Sequence, residues 1–275
     1  MKIKLNQFFI LFIGALVFSS SVMAQRGGET QYANPLLPSK KPTPIYFGPA
    51  GGVNITQHPM TMPTICNSFE QGVGIGLYGG ITLERLFGDV ATSSSSIIFR
   101  LLFNMYPGSD SREDVSCNIL PTTGGNPVEQ NVKDALNISY NAVTFEAMYK
   151  INPIPAFGLG IVVGPAIDYI ITKTKKWTYE LTTKGMYWNQ DLFREKYPYV
   201  TFEDGQTAVM YDGEVEDASS IRFGVKAGVQ YEILLGSKLY VAPAIVYNFG
   251  ITPVTSQHSW RVNALQVGID ARFAF

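Results

Sequence analysis

From Ala264 to Phe275 the sequence alternates without a break. Leu265, Val267, Ile269, Ala271, Phe273 and Phe275 share one parity, and Gln266, Gly268, Asp270 and Arg272 share the other. Successive side chains of a strand point to opposite faces, so this segment has one apolar face and one polar face. A helix would mix the two sets, and a strand buried on both sides would not carry two charges. The segment therefore requires a sheet that meets two different environments.

The same period recurs along the chain between turn residues. The predicted strands are Pro44 to Thr56, Gly72 to Leu86, Ser95 to Tyr106, Ile138 to Lys150, Ala156 to Thr172, Ser219 to Ile233, Lys238 to Gly250 and Ala264 to Phe275. Short turns join the second strand to the third near Gly88-Asp89, the fourth to the fifth near Asn152-Pro153, and the sixth to the seventh near Gly236-Ser237. The other connections, Gln57 to Gln71, Pro107 to Asn137, Lys173 to Ala218 and Ile251 to Ser259, are mostly long. Short turns at one rim and long loops at the other are the pattern of a membrane barrel. Loops this long would be unusual in a compact soluble domain.

Which face points inward is decided by the polar side. It is rich in glycine, including Gly48, Gly52, Gly80, Gly164, Gly228 and Gly268, and it carries Glu84, Arg100, Glu146, Lys150, Asp168, Arg222, Lys226, Glu232, Asp270 and Arg272. Eight strands enclose a space just wide enough for side chains, so glycines facing long charged residues suit a lumen. The charges are evenly divided in sign, and a balanced set in a narrow, poorly solvated interior can pair. They are expected to form an ion-pair network that packs the lumen. A selective conduit is the alternative, although an open pore calls for more strands. Outward aromatics gather at two heights, with Phe47, Tyr149, Phe157, Tyr231, Phe273 and Phe275 near the short turns and Phe103, Tyr169, Phe223, Tyr247 and Phe249 near the loops. Two such girdles fit two membrane interfaces.

The N-terminal region carries an export address. Met1 to Ala24 has Lys2 and Lys4, an apolar run from Phe8 to Phe18, and Ser-Val-Met-Ala suited to cleavage after Ala24. Gln25 to Thr43, with Pro35, Pro38 and Pro42, reads as a periplasmic tail, and residues 44–275 as the barrel. Without the signal the chain has 19 basic and 22 acidic side chains, which gives no footprint for nucleic acid.

Candidate functional residues lie in the loops. Cys66 and Cys117 occupy neighbouring long loops and are placed to form a disulfide in an oxidising compartment; two free thiols are the alternative. His58 and His258 fall in the first and last long loops, read as solvated side chains, since no metal-ligand spacing is present. A metal pair at these two, completed by Cys66 or a carboxylate, is the other reading. No cofactor is expected. His258 with Ser256 or Ser259 is a poor match to a nucleophile and base, so no enzyme is expected, a lipid-modifying one being the remaining alternative. The segment Lys173 to Ala218 is basic and aromatic, and Trp177, Tyr179, Tyr187 and Trp188 are read there as surface-recognition residues, with self-packing above the barrel as the competing reading.

Together, the signal, the strand pattern, the charged lumen and the Phe-terminated strand resemble the small OmpA/OmpX-type outer-membrane barrels, including barrel-only families of the Bacteroidota. That resemblance implies an all-β fold, an eight-stranded antiparallel transmembrane up-and-down β-barrel, in the outer membrane, with termini periplasmic and long loops extracellular. Phe273 and Phe275 would then belong to the signal read by the barrel-assembly machinery. Nothing follows Phe275, so the resemblance does not extend to a peptidoglycan-binding domain. The implied partners are outer-membrane lipid and lipopolysaccharide, with an extracellular ligand or a secretion-system partner beyond them. Such families include structural proteins, adhesins, porin-like small-solute channels and accessory secretion subunits, and no local motif chooses among these.

Overall fold

The computed structural model describes residues 45–274 except 65, 67, 88–92, 120–127, 155–157, 184–185, 236–237 and 256–258, and omits the side chains of 114, 117–119 and 128–130. The expected signal, the tail, Phe157, Ser256, His258 and Phe275 lie outside the described residues. Among the described residues twelve strands run in chain order: β1 (Ile45–Pro63), β2 (Ser68–Leu86), β3 (Ser95–Met105), β4 (Gly108–Ile119), β5 (Val128–Ile154), β6 (Leu159–Leu181), β7 (Thr201–Phe202), β8 (Thr207–Glu214), β9 (Ile221–Tyr231), β10 (Ile233–Leu234), β11 (Leu239–Gly250) and β12 (Asn263–Ala274). A helix, α1 (Gln190–Lys196), sits between β6 and β7. It starts on Asn189, whose side chain accepts from the Leu192 amide at 3.2 Å. Among the described residues no helix is long and apolar enough to cross a membrane.

Eight of the strands close on themselves. Antiparallel pairing runs β1 to β2, β3, β5, β6, β9, β11 and β12, and β12 returns to β1 with Phe273 opposite Phe47 and Leu265 opposite Ile55. Closure leaves no open edge along the ring. The remaining strands are additions. β4 pairs with the far part of β5, β8 with the far part of β6, β7 with β8, and β10 with β11 at the short-turn end.

Two of the segments expected as long loops are therefore largely strand. The β1–β2 hairpin continues to Pro63 and Ser68, through residues read as loop from Gln57 to Gln71. Much of the stretch from Pro107 to Asn137 forms a second hairpin from β4 and β5. The polar outward side chains there hide the period that marks the lower strands. On β1, Gln57, Pro59 and Thr61 face solvent while His58, Met60 and Met62 face in.

The outward face below those hairpins is an apolar belt. Ile75, Leu77, Ile81, Leu101, Phe103, Ile161, Ile167, Phe223 and Ile269 are all exposed, far more contiguous apolar surface than a soluble monomer presents. The belt covers Ile45 to Ile55 on β1 and Val73 to Leu83 on β2, and gives way at Gln57 and Gln71.

The inward glycines have a different cause from the one the sequence suggests. At Gly80 a Cβ would lie 2.0 Å from the Leu101 carbonyl oxygen, and at Gly268 2.1 Å from the Tyr78 hydroxyl and 2.3 Å from the Gly51 carbonyl. The wall of a narrow ring coils so tightly that neighbouring backbones occupy the space of an inward side chain. Room for a charged side chain enters at Gly160, where a Cβ would meet the Lys150 stem at 3.0 Å, and at Gly250, where it would lie 3.1 Å from Arg222 Nη1.

One irregularity reassigns a whole segment. Ala142 pairs with Ile170 but Asn141 pairs with Thr172, so Ile171 is an extra residue in β6. A bulge of this kind reverses the faces of everything beyond it. Below Ile171 even-numbered β6 residues point in, and above it Trp177, Tyr179 and Leu181 do.

Candidate lumen network and its aromatic stopper

The ten charged residues on the inward face all lie inside the ring, most of them essentially inaccessible to solvent. Near the short turns, Lys150 on β5 contacts both Glu84 on β2 and Glu232 after β9. Glu84 also accepts from Arg272 Nη1 on β12 at 2.6 Å. Arg272 Nη2 reaches Asp270 Oδ2 at 2.7 Å and Gln230 Oε1 at 3.0 Å. Asp270 accepts from Arg100 Nη2 on β3 at 2.6 Å, Arg100 Nη1 lies 3.8 Å from Glu146 Oε2, and Glu146 pairs with Lys226. These eight residues form one connected chain of four cations and four anions. Arg222 and Asp168 form a separate pair, with Nε to Oδ2 at 2.8 Å.

Neutral side chains connect the two groups. Lys226 donates to Gln266 Oε1 at 2.6 Å, and Gln266 Nε2 donates to Asn54 and Asn104, each at 2.9 Å. Asn104 Nδ2 donates to Thr144 Oγ1 at 2.7 Å, and Thr144 donates to Asp168 Oδ1 at 2.6 Å. Asn54, Asn104, Thr144, Gln230 and Gln266 share the parity of the charges, which is the signal that would have found them. Each charge is neutralised within reach of its neighbours, the condition under which buried ions are tolerated. Cations and anions alternate along the inside of the ring.

Above this network the interior becomes apolar and aromatic. The Arg222 guanidinium lies 5.2 Å from the Tyr106 ring centre and 5.8 Å from that of Tyr140, within cation–π range. Trp260, fully buried, has its ring 6.5 Å from Tyr140 and 6.0 Å from His58. Met60, Met62, Phe69, Leu136, Val254 and Val262 pack around them. This cluster occupies the inside of the ring above the ion pairs.

His58 is a correction to the sequence reading, which placed it in a solvated loop. It lies on β1, fully buried, one residue above the apolar belt. Trp260 Nε1 can only donate, so His58 Nδ1, at 3.2 Å, accepts; the Tyr106 carbonyl oxygen can only accept, so Nε2, at 3.1 Å, carries the proton. The ring is held neutral. Burial, followed by the Arg222 charge, pushes its pKa down to about 4. Among the described residues no group of three His, Cys, Asp or Glu side chains is placed to hold a metal ion.

The third long segment folds over the stopper as a second cluster. Tyr179, Leu181, Trp188, Phe193, Val200 and Ala208 are buried together, with Cys66, Trp177, Tyr197 and Met210 packed against them. Tyr179 and Trp188, read as surface residues, are thus core. The bulge turns Tyr179 inward, and Trp188 Nε1 donates to the Gln206 carbonyl at 2.7 Å. Trp177 is half-buried and donates to Asp134 Oδ1 at 2.7 Å. Burial raises the Asp134 pKa, opposed by the hydrogen bonds from Trp177 and Thr64. Tyr187 remains exposed, and Tyr199, with 91% of its surface open, is the most exposed large apolar residue described. A cleft of about 410 Å³ lies between Trp177, Lys196, Tyr197, Tyr199 and Met210.

No protein-family model and no curated protein matches the sequence. Among solved structures, the chain is similar to Neisserial surface protein A, at 13% identity over 85% of this chain and 98% of that one, with a TM-score of 0.35. It is similar to the attachment invasion locus protein Ail of Yersinia pestis at 10% identity, over 83% of this chain and 98% of that one, with a TM-score of 0.33. A third is the outer membrane protein OprG of Pseudomonas aeruginosa, at 9% identity, 86% and 99% coverage and a TM-score of 0.37. Likenesses this loose carry no argument about what the chain does.

Proposed function

We propose that the chain is an integral outer-membrane protein: an eight-stranded barrel whose apolar belt faces lipid, whose lumen is packed shut, and whose long hairpins stand outside the cell. The observation that carries this reading is the division of each ring strand into an exposed apolar face and a buried face of paired charges. In water that belt would drive aggregation, whereas in a bilayer it is solvated. The even number of strands puts both termini at the short-turn end, which is periplasmic in this reading. Phe273, exposed and opposite Phe47, belongs with Phe275 to the segment presented to the assembly machinery.

Its role is structural, with surface recognition by the outer hairpin through Tyr187 and Tyr199 in place of the buried Tyr179 and Trp188. Lipid and lipopolysaccharide surround the belt, and an extracellular ligand or a secretion-system partner would meet the hairpin. A Cys66–Cys117 bridge fits here: Cys66 carries no free thiol, and Cys117 is the other cysteine of the chain. It would tie the β1–β2 hairpin to β4. Planar-bilayer recording at neutral pH tests the packed lumen. No steady single-channel steps are expected; steps that vanish on charge reversal at Arg222 or Lys226 would replace this reading with a selective channel.

A further inference from the structure

The described parts of the β11–β12 connection lie at the mouth of the ring. These parts, Ile251 to Thr255 and Ser259 to Val262, send Val254, Trp260 and Val262 into the interior, all fully buried. Backbone contacts hold both parts: the Arg261 amide donates to the Pro59 carbonyl at 3.0 Å, Ala218 bridges to Thr255, and Arg222 donates to the Val262 carbonyl. The Trp260 indole, at the centre of the stopper, has one side-chain hydrogen bond, to His58 Nδ1.

We infer that Trp260 is an acid-released stopper: neutral His58 pins its indole inside the mouth of the ring, and protonation of His58 lets it go. A protonated imidazole has donors on both nitrogens and no acceptor. Its Nδ1–H would face the indole N–H, and a buried donor facing a donor loses the bond and gains an unsatisfied group. The surroundings add to the effect. Arg222 on β9 faces the site, and its partner Asp168 on β6 is already engaged by that arginine and by Thr144. Tyr106 follows β3 and Tyr140 lies on β5, and neither phenol supplies a negative charge in acid. No carboxylate among these is free to neutralise a charged His58, so the imidazolium is relieved by opening toward solvent. Release of Trp260 would uncover Tyr106, Tyr140 and the Arg222–Asp168 pair beneath them. The inference concerns the ring and its stopper alone, so it holds or fails apart from the membrane reading.

The test is an NMR titration of the detergent-solubilised chain from pH 7 to pH 3.5. Imidazole ¹⁵N shifts report His58 protonation, and exchange of the Trp260 indole proton, assigned with Trp260→Phe, reports the pin. Protection of that proton should fall at least tenfold, with the same midpoint as His58 titration, and should persist through the range in His58→Gln, whose amide oxygen accepts at any pH. If His58 titrates while the indole stays protected, or protection is lost equally in His58→Gln, the stopper is not acid-released. The wild-type titration decides the matter even where the variant fails to fold.

Discussion

Arg272 of the last strand and Glu84 of the second are hydrogen-bonded at 2.6 Å, with β1 between their strands in the wall of the ring. The bond crosses the lumen side of β1 and ties the point of ring closure to the next hairpin. Removing Arg272 leaves Glu84 with Lys150 alone and Asp270 with Arg100 alone, one buried anion in excess, at a cost of up to about 3 to 5 kcal/mol. Arg272→Met should therefore lower stability by that order in urea titrations of the vesicle-reconstituted protein. A loss below about 1 kcal/mol would mean that Lys150 and Arg100, with water admitted to the lumen, compensate Glu84 and Asp270 without Arg272.

Gly79 and Gly80 are adjacent and face opposite ways. A Cβ at Gly79 would come no closer than 3.9 Å to the Ala50 carbonyl oxygen, whereas at Gly80 it would strike the Leu101 carbonyl. Gly79→Ala should change stability by no more than about 0.5 kcal/mol. Gly80→Ala should cost about 1 to 3 kcal/mol or prevent assembly. Folded yield of the two variants under identical refolding conditions checks the contrast.

His58 also sets a pH dependence. Its folded-state pKa of about 4 lies below the ordinary 6.5, so between those values the unfolded chain binds the extra proton. Stability is full above pH 6.5 and falls as pH drops toward 4, by an amount on the order of 3 kcal/mol. In His58→Gln that part of the slope should be absent. Urea midpoints measured at half-unit steps of pH would read the difference directly.

Asp134 works in the opposite sense. Its folded-state pKa is raised, so its contribution is greatest in acid and declines as the carboxyl ionises. Asp134→Asn keeps one oxygen to accept from Trp177 Nε1, turns its amide NH2 to the Thr64 hydroxyl, which can accept, and removes the buried charge. The variant should be as stable as wild type at pH 7 or more so, by up to about 1 kcal/mol; a clear loss would point to a role for the negative charge itself.

Cys66 and Cys117 should account for no free thiol in protein isolated without reductant, seen as failure to alkylate and a mass lower by two hydrogens. The bridge closes a loop of about 50 residues and is worth up to about 4 kcal/mol on the chain-entropy account. Quantitative alkylation of both residues in the native protein would remove it.

The ring was legible in the sequence because its strands obey one rule over their whole length: even a single-residue slip would send Ile81 inward and Thr82 into the belt. The inward charges follow the same parity, and so could be named individually. What was not legible lies above the belt, where the outward face turns polar and period-two contrast fades. Strand continued there through Gln57, Pro59 and Thr61, carrying His58 into the interior. The extra Ile171 was invisible for the same reason, and with it the inward turn of Tyr179. Trp260 escaped notice because its partner, His58, lies 202 residues away in sequence.

The sidedness of the wall carries everything else, and nitroxide labels read it most directly. Labels introduced singly at outward Leu77, Ile81 and Leu101 and at inward Thr82 would be studied by EPR in the vesicle-reconstituted protein. The outward three should collide freely with molecular oxygen and poorly with a water-soluble nickel chelate, and the label at Thr82 should be shielded from both. High chelate accessibility at Leu77, Ile81 and Leu101 would place the belt in water and contradict the account.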